Sequence, residues 1–235
     1  MGKIELLNCD CMEFMQDQPD KSFDLVITSP PYNLGDIHHT GGKRKKHYQD
    51  NLPEQEYQKQ QINVLNELRR IIKPIGSLFY NHKNRIRNGL TISPLEWILK
   101  TKWTLKQEIV WRNGSQNFDK IRAYPMTERI YWLADSKVIM ENNTGLSDCM
   151  LESNWPPMGT HHEHGRAFPL KMVTQILHCF PTTRKVFDPY LGFATTAIAS
   201  YYFGVDFVGC EIDKDYYDAA VERFNRETAQ IAMDI

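Results

Sequence analysis

Apolar, β-branched runs alternate along this chain with segments of helical spacing, and that alternation narrows the fold more than any other feature. Strands are predicted at Lys3–Leu7, Phe23–Thr28, Ser77–Tyr80, Leu105–Trp111, Arg129–Leu133, Lys185–Asp188 and Phe207–Glu211. Helices are predicted at Pro53–Ile72, Ser93–Lys100, Leu170–Cys179, Thr195–Phe203 and Lys214–Thr228. Pro53 suits a first helical turn, and Glu54 and Glu56 favour its positive end. Strands separated by helices imply an α/β fold: a Rossmann-like, mostly parallel seven-stranded sheet with helices on both faces. In such sheets ligands sit beyond the carboxyl ends of the strands. The chemistry is therefore expected at Asp10, Ser29-Pro30-Pro31-Tyr32, Asn81, Asp188-Pro189-Tyr190 and Glu211-Ile212-Asp213.

A chain of 235 residues, 41% of them hydrophobic, suffices for one large domain, taken as 1–235. Two long segments, 33–51 and 136–165, interrupt the pattern without resembling linkers. Loops of that length usually carry function, and these are the expected places for contacts that read a partner. No apolar run is long enough to cross a membrane, and the first residues do not resemble a signal peptide. Five cysteines, an odd number with no C-x-x-C, suit a reduced, cytoplasmic protein. The formal net charge of −1 announces no nucleic-acid partner, so any basic footprint must be local. Lys43, Arg44, Lys45 and Lys46 form one such cluster, and Arg85 and Arg87 follow another strand end. His161-His162-Glu163-His164 is read as ordinary loop histidines, because adjacent residues rarely point at one centre; no metal is expected.

Two motifs carry specific chemistry. In Ile27-Thr28-Ser29-Pro30-Pro31-Tyr32-Asn33 a strand runs directly into two prolines. Proline fixes φ and lacks an N–H, so the turn is rigid and its carbonyls are left to accept. A hydroxyl, a carbonyl and an aromatic ring on one rigid turn suit a planar group bearing an NH2. Stacking on such a ring contributes ~1–3 kcal/mol per base. In Val186-Phe187-Asp188-Pro189-Tyr190-Leu191-Gly192-Phe193-Ala194-Thr195 a strand passes through an acidic, small-residue turn into a helix. Gly192 permits close backbone approach to a ligand, and Asp188 can accept from a ligand's ammonium. Glu211 ends the next strand, where an acid of this arrangement holds ribose hydroxyls.

Together these motifs resemble those of the amino-methylating DNA methyltransferases, which carry [DNS]-P-P-[YF] and D-P-F-x-G-x-G-T. The catalytic motif comes first here, as in the circularly permuted beta group of that family. Other segments are similar too. Asn8-Cys9-Asp10-Cys11 resembles the family's N-terminal segment, whose Asp meets the cofactor adenine. Arg166-Ala167-Phe168-Pro169 resembles an element whose aromatic lies near the methionine moiety. Thr127-Glu128-Arg129-Ile130-Tyr131 resembles a segment of the last β-hairpin.

The resemblance implies S-adenosylmethionine as cofactor, held by Asp10, Cys11, Phe168, Asp188, Tyr190, Gly192, Thr195 and Glu211. It implies catalysis by Ser29, Pro30, Pro31 and Tyr32 on a base flipped out of double-stranded DNA. Lys43–Lys46, Arg85 and Arg87 would contact phosphates. A homodimer could add DNA contacts, and a cognate restriction enzyme is a further implied partner. Serine at the first motif position resembles the cytosine-N4 enzymes; adenine-N6 remains the alternative. RNA or protein-glutamine methylation, or a degenerate DNA-binding subunit, are rival readings. The glutamine enzymes place the cofactor motif first, against the order here. One departure stands out. Ala194 occupies the family's second glycine, and it fits without strain only if φ there is negative.

Overall fold

Strand residues in this protein alternate between two cores, one on each side of a single large sheet. The computed structural model describes residues 2–35, 50–112, 120, 122–151 and 169–229. The chain forms β1 (Ile4–Leu7), α1 (Cys11–Gln16), β2 (Phe23–Thr28), α2 (Glu54–Ile71) and β3 (Ile72–His82). A small hairpin, β4 (Arg85–Arg87) and β5 (Leu90–Ile92), leads to α3 (Leu95–Ile98), β6 (Thr104–Arg112) and β7 (Thr127–Ala134). Then come β8 (Cys149–Met150), α4 (Leu170–His178), β9 (Lys185–Asp188), α5 (Thr195–Phe203), β10 (Asp206–Cys210) and α6 (Lys214–Ala229). Among the described residues no helix is long and apolar enough to cross a membrane.

The eight-stranded sheet runs β1-β10-β9-β2-β3-β7-β6-β8. Within it β7 pairs antiparallel with both neighbours, and the other pairings are parallel. All seven expected strands are present. The eighth, β8, is two residues long, too short to leave a period in the sequence. Ile27, Phe79, Ile130 and Val186 face a core shared with α4 and α5. Val26, Leu78, Tyr131 and Phe187 face the other, shared with α1, α2 and α3. This period of two is what the strand runs predict.

Topology places the site. From β9 the chain moves through α5 to β10 on one side. From β2 it moves through α2 to β3 on the other. The neighbours β9 and β2 therefore flank the point where strand order reverses, the place where sheets of this kind open a crevice at the carboxyl ends of their strands. The two motifs singled out in the sequence end these two strands. β1, at the start of the chain, pairs with β10 near its end, as a permuted order requires.

Candidate active site

At the end of β2 the backbone turns through Ser29-Pro30-Pro31-Tyr32 and bends at Asn33, whose φ is 56°. Asparagine tolerates this left-handed conformation better than most residues. Its amide is held too: Nδ2 donates to the Leu52 carbonyl at 2.9 Å, and its N–H donates to Asp50 at 2.8 Å. The Tyr57 hydroxyl, from α2, lies 2.7 Å from both the Pro31 carbonyl and His82 Nε2. His82 Nδ1 faces the Lys83 carbonyl at 2.8 Å, so the ring proton sits on Nδ1, and the single proton of Tyr57 is shared between Nε2 and the Pro31 carbonyl. Burial pushes the His82 imidazole down to about 3, so the ring is neutral. The Pro31 carbonyl thus faces a donor of the protein itself.

Ser29 Oγ lies 2.7 Å from Tyr32 Oη, which donates to Glu128 Oε2 at 2.8 Å. Asn81 Nδ2, at the end of β3, faces three acceptors: Tyr32 Oη at 2.5 Å, Glu128 Oε2 at 2.8 Å and Ser29 Oγ at 3.3 Å. The Tyr32 ring packs against His82 with centroids 4.6 Å apart, and Lys83 Nζ lies 5.6 Å from its centre. Burial, then the Glu128 carboxylate, hold the Tyr32 hydroxyl well above the ordinary phenol range.

Across the crevice, Asp188 ends β9. Its Oδ1 accepts from Thr28 Oγ1 at 2.7 Å and the Tyr190 N–H at 3.1 Å; Oδ2 accepts from Thr196 Oγ1 at 2.8 Å. Only Oδ2 keeps a lone pair for a ligand. The first of these bonds ties the two motif strands together at the switch point. Burial raises the Asp188 carboxyl to about 7. Glu211 likewise rises to about 7 through burial, although the Asp213 and Gly192 N–H groups oppose the shift. Each Glu211 oxygen takes one of those N–H groups at 3.0 Å, which leaves one acceptor site per oxygen for a diol.

Gly192 has φ 52°, and a Cβ built there would meet only the Tyr190 carbonyl, at 3.8 Å. A ligand can therefore approach this backbone closely. Ala194, at φ 60°, does require the left-handed conformation, so the departure from glycine carries strain of roughly 1–2 kcal/mol. Thr195 is buried, and its hydroxyl accepts from Arg223 Nη1 at 2.8 Å. Arg223 also donates to the Phe193 carbonyl at 2.9 Å and so grips the loop. The Tyr190 hydroxyl sits beside the polar groups of Cys11 and Gln61, which a phenylalanine there could not engage. Asp10 caps α1 with Oδ1, accepting from the Met12 and Glu13 N–H groups, and keeps Oδ2 for a ligand. The Cys11 thiol is core, and burial raises it to about 12; only its backbone could meet a ligand.

The expected catalytic and cofactor residues among those described thus lie at the carboxyl ends of β1, β2, β9 and β10, with Phe168 and the basic run Lys43–Lys46 lying outside the described residues. Arg85 is a correction. It is 4% exposed, and its guanidinium pairs bidentately with Glu54 at 2.7 and 2.8 Å over the Tyr57 and Trp97 rings. It is a structural cation, unavailable to phosphate. The Arg87 side chain is 40% exposed and lies 3.6 Å from the same Glu54. Sequence reasoning missed Tyr57 and His82, and it placed Glu128 in a hairpin without a role. Glu128 reaches the site through pairing of β7 with β3, which no local spacing announces. The His161–His164 run also lies outside the described residues; among the described residues no His, Cys, Asp or Glu cluster is suited to a metal ion.

Known proteins are similar to this chain in sequence and in fold. The profile of the N6/N4 DNA methylase family matches residues 23–222. The type II methyltransferase M.BglII of Bacillus subtilis is 26% identical over 261 residues, covering 95% of this chain and 69% of its own length. The fold is similar to that of the cytosine-N4-specific PvuII DNA methyltransferase, at TM-score 0.76 and 18% identity over 97% of this chain and 91% of that one. It is also similar to M1.HpyAVI, solved with S-adenosylmethionine, at TM-score 0.64 and 19% identity over 94% of this chain and 99% of that one.

Proposed function

The chain belongs to the N6/N4 DNA methylase family, and from that premise we propose that it methylates the exocyclic amino group of a base flipped out of duplex DNA, with cytosine N4 as the target. One observation carries the reading. The amino-acceptor turn and the cofactor loop end adjacent strands at the switch point, joined by the 2.7 Å bond from Thr28 to Asp188.

The residues fit S-adenosylmethionine. Glu211 would offer two acceptors to the ribose hydroxyls, Asp10 Oδ2 would accept from the adenine amino group, and the backbone at Gly192 would admit close approach. Asp188 Oδ2 supplies the remaining buried acceptor, and Phe168 would lie near the methionine moiety. When bound, this group supplies a methyl carried on a sulfonium. Ser29 Oγ and the Pro30 carbonyl accept the two N–H groups of the base and draw its nitrogen toward a tetrahedral shape. The lone pair then leaves conjugation with the ring and is directed into the crevice. Tyr32, backed by His82, stacks on the base. Alignment of this kind is worth up to ~7–11 kcal/mol in favourable cases.

Serine in place of the Asp or Asn of many adenine enzymes supports cytosine. Lys43–Lys46 and Arg87 are the proposed phosphate contacts, with segments 33–51 and 136–165 of the single domain reading the target. A second copy of the chain would extend that surface. The type II designation of M.BglII supports a restriction endonuclease of the same target as cognate partner. Mass spectrometry of nucleosides from DNA of an expressing host is expected to find N4-methylcytosine. N6-methyladenine would instead assign adenine, and labelled methyl appearing in RNA but not duplex DNA would overturn the substrate class.

A further inference from the structure

The chain of contacts that begins at Ser29 ends on a carboxylate for which the amino clamp alone has no use. Ser29 Oγ, Tyr32 Oη and Glu128 Oε2 follow one another at 2.7 and 2.8 Å. A carboxylate only accepts, and an amide nitrogen only donates. Glu128 therefore takes the Tyr32 proton, while Asn81 Nδ2 supplies a second donor to Glu128 at 2.8 Å. Tyr32 has a single proton and spends it on Glu128, so Ser29 must donate to Tyr32. The direction of the chain is fixed; Ser29 Oγ also accepts from Asn81 Nδ2 at 3.3 Å, which leaves it one lone pair for the N–H of a base. Burial keeps Tyr32 a neutral phenol, suited to pass a proton along and unsuited to hold the charge itself.

From this geometry we infer that Glu128 is the terminal proton acceptor of methyl transfer, reached from the base nitrogen through Ser29 and Tyr32. The inference rests on the amino-clamp reading. As the nitrogen gains its methyl it becomes cationic. Its N–H bond breaks, and the electron pair stays on nitrogen. The proton passes to Ser29 Oγ while Ser29 passes its own to Tyr32 Oη and Tyr32 passes its own to Glu128 Oε2. Both hydroxyls end as they began, and Glu128 ends neutral. It is half-buried, so it can release the proton to water afterwards. Before that step its charge offsets the positive charge developing on the nitrogen. Glu128 touches neither base nor cofactor and acts through Tyr32, so it is a positioning residue.

The test is single-turnover transfer of tritiated methyl from S-adenosylmethionine to unmethylated bacteriophage DNA, with cofactor affinity measured by calorimetry. Glu128→Gln keeps the acceptor oxygen and loses the charge; Tyr32→Phe keeps the ring and breaks the relay. Each is expected to slow transfer by about a hundredfold with cofactor affinity unchanged. The double variant should be no slower than the worse single one, because both cut the same chain, and Glu128→Asp should recover part of the rate. A wild-type rate in Glu128→Gln, or losses that multiply in the double variant, would overturn the relay. Should Glu128→Gln fail to fold, judged by lost cofactor binding, a wild-type rate in Tyr32→Phe overturns it alone. Ser29→Ala, run alongside, separates the two ideas: a wild-type rate there removes the clamp itself.

Discussion

Two carboxyls carry the pH behaviour of the site. Asp188 and Glu211 both lie near 7, raised by burial above the usual carboxylate range. A raised acid favours the protonated form in the folded state, so ionising it costs stability as pH climbs from about 4 in the unfolded chain toward 7. A cofactor held by these two carboxyls, as proposed, would reverse the preference, since its hydroxyls and positive charges favour the carboxylates. Cofactor affinity is therefore expected to rise between pH 6 and 8, with proton release detectable as buffer-dependent enthalpy in calorimetry. Affinity that is flat across that range would show that neither carboxyl ionises on binding. Ala194 makes a second residue-scale case. Glycine at φ 60° avoids the Cβ clash, partly offset by its greater freedom when unfolded, so Ala194→Gly should stabilise by roughly 1 kcal/mol. That corresponds to a melting temperature about 2–4 °C higher for a domain of this size. An unchanged or lower melting temperature would mean that the surroundings have relaxed the strain.

At the scale of elements, the proposed catalytic turn is braced by α2. Glu54 in its first turn pairs with buried Arg85, whose guanidinium lies 4.7 Å from the centre of the Tyr57 ring, and Tyr57 holds the Pro31 carbonyl. Removing one partner of a buried ion pair strands the other. Arg85→Ala is expected to destabilise by about 3–5 kcal/mol in urea unfolding. It should leave the salt slope of DNA binding unchanged. A weaker slope with normal stability would restore the phosphate role that burial argues against. The sequence read α2 well because Pro53, its acidic start and its apolar period agree. It read β3 short, as Ser77–Tyr80, because Pro74 and Gly76 resemble a break. The strand instead runs from Ile72, and its pairing jumps from Ile72 opposite Phe23 to Ser77 opposite Leu25, so residues 73–76 sit in an irregularity. The six residues of α1 were too few to show a period. Arg85 looked like a DNA contact because its partner Glu54 lies 31 positions away, beyond any local pattern. The same limit hid Glu128 and Tyr57, whereas Ser29, Asp188 and Glu211 were legible because each ends a strand inside its own motif.

For the whole molecule, permutation and function are one matter. The chain begins at β1, paired beside β10, and so carries the catalytic turn before the cofactor loop, yet the fold returns both to adjacent strands. What joins them is small: Thr28 and Asp188, buried and 2.7 Å apart. Ser29 on this turn is proposed to clamp an amino group for methylation. The most direct measurement is the single-turnover rate of methyl transfer to duplex DNA for wild type and Ser29→Ala, with cofactor affinity measured on both. A loss of about a hundredfold or more in rate, with affinity unchanged, is the expected result. A wild-type rate in Ser29→Ala would contradict it.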